Sequence, residues 1–122
     1  QSAGRSGLFV HGDYKTGYGY YILLGGEKKN TWQILKRNKA GWSSKELIVT
    51  GILDNTTFSS DSKYWIRVLS SGETLECYFS SNDKNYEKLG EFKDNEFNEG
   101  SVGIAVLDAG RSLFDDFSLT KF

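Results

Sequence analysis

Apolar and polar positions alternate along this chain in short bursts. The runs "SGLFVH" (6–11) and "YGYYILLG" (18–25) are closed by "GDYKTG" and "GEKKN". "TWQILKRN" (31–38), "WSSKELIVT" (42–50) and "SKYWIRVLS" (62–70) follow, the last after a polar connection. Ser71-Gly72 then turns the chain into "ETLECYFS" (73–80), the pattern of a tight hairpin. "NYEKLGEF" (85–92) is a weaker run, and "SVGIAVLD" (101–108) and "SLFDDFSLTKF" (112–122) complete the series. Aromatic and β-branched runs of this length, divided by Gly, Asn, Asp and Ser, predict strands. No segment keeps i, i+3, i+4 apolar spacing over three turns, and "DNEFNEG" has room for one helical turn at most. The pattern predicts a single all-β domain over residues 1–122, a sandwich or barrel of antiparallel strands.

Composition narrows the function classes. A chain of 122 residues buries a core without staples, and its single cysteine rules out an internal disulfide. Cys77 lies in phase with Leu75 and Phe79, which predicts a buried thiol acting as a small hydrophobe. The net charge of −1 argues against nucleic acid, whose partners carry a basic footprint. No apolar run approaches the ~18 residues of a membrane span, so no membrane partner is expected. The sequence opens on Gln1 and holds no methionine, which reads as a processed product or a piece of something longer.

Parity raises one question near the C-terminus. Along 112–122 one face carries Leu113, Asp115, Phe117 and Leu119, and the other Phe114, Asp116, Ser118 and Thr120. Asp115 therefore shares the apolar phase and points inward or to a rim, where a carboxylate must be paired, hydrogen-bonded or bound to a cation.

The same segment carries a family pattern. "EGSVGIAVLDAGRSLFDDFSLTKF" resembles the closing hairpin of concanavalin A-like lectin/glucanase domains, jelly-roll sandwiches related to laminin G domains and pentraxins. In those a G-x-V-G-[IL] strand, a turn and an F-D-[DN]-[FV]-x-[LV] strand follow one another; Gly100, Val102, Gly103, Ile104 and Phe114, Asp115, Asp116, Phe117, Leu119 fit. "RSGLFVHGD", "GYGYYILLGG" and "KYWIRVLSSGETLECYFSSND" are similar to further strands of the family, in the family's order. The piece "YYILLGGEKKNTWQILKRNKAG" is similar to sugar-binding domains appended to secreted glycoside hydrolases, through Gly25, Gly26, Asn30, Thr31, Leu35 and Lys36 or Arg37. The resemblance implies an antiparallel jelly-roll sandwich, extracellular or at the cell surface, lacking the strands that usually precede the R-x-G-[LI] element. It also implies a carbohydrate-binding module of a larger glycan-active protein, or else a laminin G-like module that packs against a neighbouring domain.

Candidate chemistry follows from this. A glucanase of the fold needs a Glu-x-Asp-x-Glu cluster on one strand, so that alternate positions aim an acid and a nucleophile at one bond. The nearest approach, Glu91, Asp94, Glu96 and Glu99, has the wrong spacing and lies in a polar connector, and His11 is the only histidine. The chain is therefore expected not to be an enzyme by itself. Binding an oligo- or polysaccharide needs flat aromatic faces and a few polar groups; Tyr14, Tyr18, Trp32 and Trp42 are the candidate faces, with Gln33, Arg37 and Asn38 as hydrogen-bonding neighbours. Each of these aromatics has the alternative reading of a core or rim residue. Trp65, in the W-x-R strand, is expected to be structural. Domains of this broad architecture often carry structural calcium held by oxygen ligands. Asp115 is the best candidate ligand, with Asp13 or Asp108 beside it; pairing with Arg5, Arg67 or Arg111 is the alternative.

Overall fold

A computed structural model describes residues 5–25, 30–39, 45–53, 58, 63–97 and 100–107, with backbone alone at 45–48 and 104–107. Eight strands run in chain order: β1 (Arg5–Asp13), β2 (Tyr18–Gly25), β3 (Thr31–Arg37), β4 (Lys45–Ile52), β5 (Trp65–Ser71), β6 (Thr74–Ser80), β7 (Glu87–Lys93) and β8 (Ser101–Leu107). They form two antiparallel sheets, one of five strands in the order β4-β3-β2-β1-β8 and one of three in the order β5-β6-β7. No helix occurs among the described residues, so residues 94–97, where one helical turn was allowed for, form a bend instead. The segment 112–122 lies outside the described residues.

The core shows why these strands face as they do. Val10, Tyr20, Ile22, Trp32 and Ile34 from the larger sheet meet Leu75, Cys77 and Phe79 from the smaller one, which makes the pair of sheets a sandwich. The reverse face of the larger sheet is apolar too: Phe9, Tyr21, Leu23 and Leu35 are buried there and pack together. Phe9 pairs with Tyr21 and Tyr21 with Leu35, so three neighbouring strands place these side chains in one row. That is why β2 reads as the unbroken run Tyr20-Tyr21-Ile22-Leu23-Leu24, as strands covered on both faces do.

Two local devices set the connections. Ser71 pairs with Thr74, and Gly72 opens the two-residue turn between them at φ +61°, the value a II′ hairpin needs at that position. In β1 the register shifts between Val10 and Asp13 against β2, and His11 takes φ +50°. By simple alternation His11 would lie on the Phe9 face. The bulge turns it over, so that its ring meets Ser70 Oγ at 2.8 Å and the Phe97 carbonyl at 2.9 Å. His11 thereby joins the larger sheet to β5 of the smaller one.

A second tie lies beside it. Lys36 Nζ reaches Asp94 Oδ2 at 2.7 Å and Glu96 Oε1 at 2.8 Å. Asn38 donates to Glu96 Oε1 at 3.0 Å, and the Phe97 amide donates to the buried Tyr20 hydroxyl at 3.3 Å. Residues 94–97, which follow the smaller sheet, are thus held to the larger one by four side chains: His11 of β1, Tyr20 of β2, Lys36 of β3 and Asn38 just after it.

Candidate functional site

The residues singled out from sequence fall at several separate places. Tyr14 and Tyr18 bracket the turn from β1 to β2. Within it the Lys15 amide donates to Asp13 Oδ1 at 2.9 Å, the Gly17 amide to the Asp13 carbonyl at 2.7 Å and the Tyr18 amide to Thr16 Oγ1 at 3.2 Å. Two side chains from below complete the bracing: Arg37 Nη1 donates to the Thr16 carbonyl at 2.5 Å and the Tyr21 hydroxyl to the Gly17 carbonyl at 2.6 Å. Burial pushes the Tyr21 hydroxyl above its ordinary range, with the Arg37 charge opposing it. The Arg37 guanidinium also lies 5.5 Å from the centre of the Tyr18 ring. Arg37 is 7% exposed, so it acts as a strut under the turn rather than as a hand held out to a ligand. Tyr14, 77% exposed, is the ring this turn presents to solvent.

Trp32 is a core residue. It is 7% exposed, its ring lies over Gly51 of β4, and its far edge comes within 3.5 Å of where a β-carbon on Gly90 of β7 would stand. No face of that ring is open to a sugar. Its phase explains this: Trp32 follows Ile34 and Ile22 on the face that meets the second sheet. Gln33 points the other way, where Arg5 Nη1 donates to its Oε1 at 2.7 Å. Asn38 is engaged with Glu96. Of the six sugar-site candidates among the described residues, the structure brings together Tyr14, Tyr18 and Arg37 at this turn. Trp42 lies outside the described residues, as does Asp115, the calcium candidate. Among the described residues no three His, Cys, Asp or Glu side chains stand where they could hold a metal ion together.

The carboxylates of the acidic connector are engaged with Lys36. Asp94 is partly desolvated, which raises its pKa, but the hydrogen bond from Lys36 and that from the Glu96 amide bring it below the ordinary carboxylate value. Glu96 is lowered by the hydrogen bonds from Lys36 and Asn38. The Lys36 ammonium is held well above its usual range by the same two carboxylates. Groups fixed in this way stay charged at neutral pH, which suits a structural clasp and not a general acid. Cys77 is fully buried, and burial pushes its thiol up to about 12, so it is inert as a nucleophile.

The outer face of the three-stranded sheet is the surface that strand-by-strand reading missed. Ile66, Val68, Cys77 and Phe79 turn inward, so the alternating positions Trp65, Arg67 and Tyr78 turn outward. The register sets Arg67 opposite Tyr78, and Tyr78 opposite Lys88. Trp65, Tyr78 and Tyr86 are all half-buried there, with Arg67 and Lys88 exposed. The Arg67 guanidinium lies 4.2 Å from the centre of the Tyr86 ring, and Lys63 Nζ is 5.8 Å from that of Trp65. The nearby acids have partners. Glu76 Oε2 accepts from the Tyr78 hydroxyl at 2.6 Å, Asp83 Oδ1 accepts from the Tyr86 hydroxyl, and Glu91 Oε1 pairs with Lys88 Nζ at 3.2 Å. The Tyr78 hydroxyl is raised chiefly by its bond to Glu76, and the Tyr86 hydroxyl by desolvation and then by its bond to Asp83. A signal was present in the sequence, since W-x-R, E-x-Y and Y-x-K each alternate aromatic with charge. Their assembly into one patch needed the pairing of β5, β6 and β7.

Comparison with protein-family models, with curated proteins and with solved structures finds no match to this chain.

Proposed function

We propose that this chain is a non-catalytic carbohydrate-binding module of concanavalin A-like, jelly-roll type, belonging to a larger secreted or cell-surface glycan-active protein. The observation that carries the reading is the set of three half-buried aromatic rings at the outer face of the three-stranded sheet, Trp65 of β5, Tyr78 of β6 and Tyr86 just before β7, instead of in its core. Aromatic rings offer the apolar face of a pyranose a flat contact, and charged groups between them serve its hydroxyls. The sheet fixes the spacing of the rings before any ligand arrives, which lowers the ordering cost of binding. Tyr14, held out on its braced turn, is a separate contact for a longer chain. Binding through so shallow a surface is modest in strength and serves to keep an attached partner near a polymer.

A module that packs on a neighbouring domain without binding sugar is the second reading. In such a contact Ile52, 54% exposed at the end of β4, would be covered. Retention of the chain on immobilised polysaccharides separates the two. Wild type is expected to be retarded by at least one polymer, and Trp65→Ala or Tyr78→Ala to abolish that retardation while the melting transition stays cooperative. Failure of every polymer to retard the wild type rejects the glycan reading in favour of the packing role.

A further inference from the structure

We infer that the outer face of the three-stranded sheet selects an acidic sugar, one carrying a carboxylate such as a uronic acid unit, with Arg67 as the group that reads the charge. The inference rests on the glycan reading above and names its ligand class.

The charges of the patch separate into engaged and open. Glu76, Asp83 and Glu91 each hold a partner, respectively the Tyr78 hydroxyl, the Tyr86 hydroxyl and the Lys88 ammonium. Lys63 lies over Trp65 at the margin. Arg67 differs. It is exposed, it pairs with no carboxylate among the described residues, and its guanidinium lies on the face of Tyr86. A guanidinium laid on an aromatic ring is fixed in orientation, and it still presents N–H groups around its rim. Such a fork matches the two oxygens of a carboxylate. Tyr78 stands directly opposite Arg67 on β6 and Trp65 two residues away on the same strand face, so rings flank the cation on two sides. A sugar ring lying on Tyr78 or Trp65 brings a carboxylate at its rim to Arg67. A neutral sugar leaves the guanidinium without an ion-pair partner, which a carboxylate supplies. An acidic peptide supplies the charge but not the flat apolar ring faces, and is the weaker fit.

The test is affinity electrophoresis or calorimetric titration of the whole chain against uronate polymers (polygalacturonate, alginate and glucuronoxylan), methyl-esterified polygalacturonate, a neutral β-glucan and poly-glutamate. The expected result is binding to at least one uronate polymer about tenfold or more tighter than to the ester or the glucan, as a charge-assisted hydrogen bond supplies. That advantage shrinks as salt rises. Arg67→Gln, its folding checked by thermal melting, is expected to remove the advantage and leave the weak binding of the ester in place. Arg67→Lys, which keeps the charge without the fork, is expected to retain only part of it. Equal binding of acid and ester, or acid binding unmoved by Arg67→Gln, overturns the inference while the glycan reading stands. Poly-glutamate bound as tightly as the uronate polymer overturns it in favour of a protein ligand. No binding of any carbohydrate removes both the inference and the reading beneath it.

Discussion

Trp32 decides between two accounts of the aromatic residues, because sequence offered it as a sugar platform and the structure sets it between the sheets. An indole side chain removes ~150–250 Å² from water, which at ~25 cal/mol per Å² is roughly 4–6 kcal/mol of transfer free energy. At 7% exposure nearly all of that applies here. Trp32→Ala is therefore expected to cost about 3–5 kcal/mol, the range for deleting a large buried aromatic. That is a large share of the ~5–15 kcal/mol that stabilises a domain. Trp32→Phe keeps a ring in the gap and is expected to cost less, about 1–2 kcal/mol. Gly51 supplies an independent check. A β-carbon placed there would stand 2.6–2.7 Å from three atoms of the indole, so Gly51→Ala is overpacked. Its expected cost is about 1–3 kcal/mol in the wild type and clearly less beside Trp32→Phe, since the smaller ring vacates the contested space. Urea unfolding followed by far-ultraviolet circular dichroism gives the midpoint and slope for the wild type, the three single variants and the double variant. A loss under about 1 kcal/mol for Trp32→Ala, or a Gly51→Ala penalty equal in both backgrounds, refutes the core assignment.

The remaining predictions concern the clasp, the thiol and the hairpin. Asp94 has a folded pKa below its unfolded one, so its contribution is complete above the unfolded value near ~3.9 and fades as pH falls through the lower folded value. Asp94→Asn should cost about 1–2 kcal/mol at pH 7 and flatten the acid limb of stability below about pH 4; a limb unchanged by the substitution counts against the clasp. Lys36 has the opposite sign, a raised folded pKa, so its contribution persists at neutral pH and is lost only as alkali passes the unfolded value near ~10.4. The Cys77 thiol, raised to about 12, should react with a disulfide reagent only as fast as the core opens, and rapid labelling of native protein at pH 8 contradicts its burial. Gly72→Ala should cost about 1 kcal/mol through its positive φ alone, because no atom lies within 4 Å of the added β-carbon; a cost over about 3 kcal/mol shows an unseen contact.

Much of the framework was legible in order. Each run from "SGLFVH" to "SVGIAVLD" holds a strand, and the Ser71-Gly72 turn lies where the dipeptide put it. Boundaries moved where side chains rather than periodicity end a strand. β1 continues to Asp13 through the bulge at His11, which no alternation rule contains. β7 begins at Glu87 and not at Asn85, because Asn82 Oδ1 accepts from the Lys84 and Asn85 amides and holds them in a turn. The candidate site was less legible. Trp32 and Trp65 look alike as rings near the start of a strand, yet one is sealed in and the other turns outward.

What the sequence determined by itself is periodicity: all-β, antiparallel, a thiol in phase with the core, a glycine where a turn needs positive φ. Which face of each strand looks at the other sheet was decided by tertiary structure. Alternation divides side chains into two sets without saying which set lies inside, and β2 and β3 are apolar on both. Register did the rest, setting Arg67, Tyr78 and Lys88 in one row from three strands, since cross-strand neighbours are far apart in the chain and adjacent only once the sheet has formed.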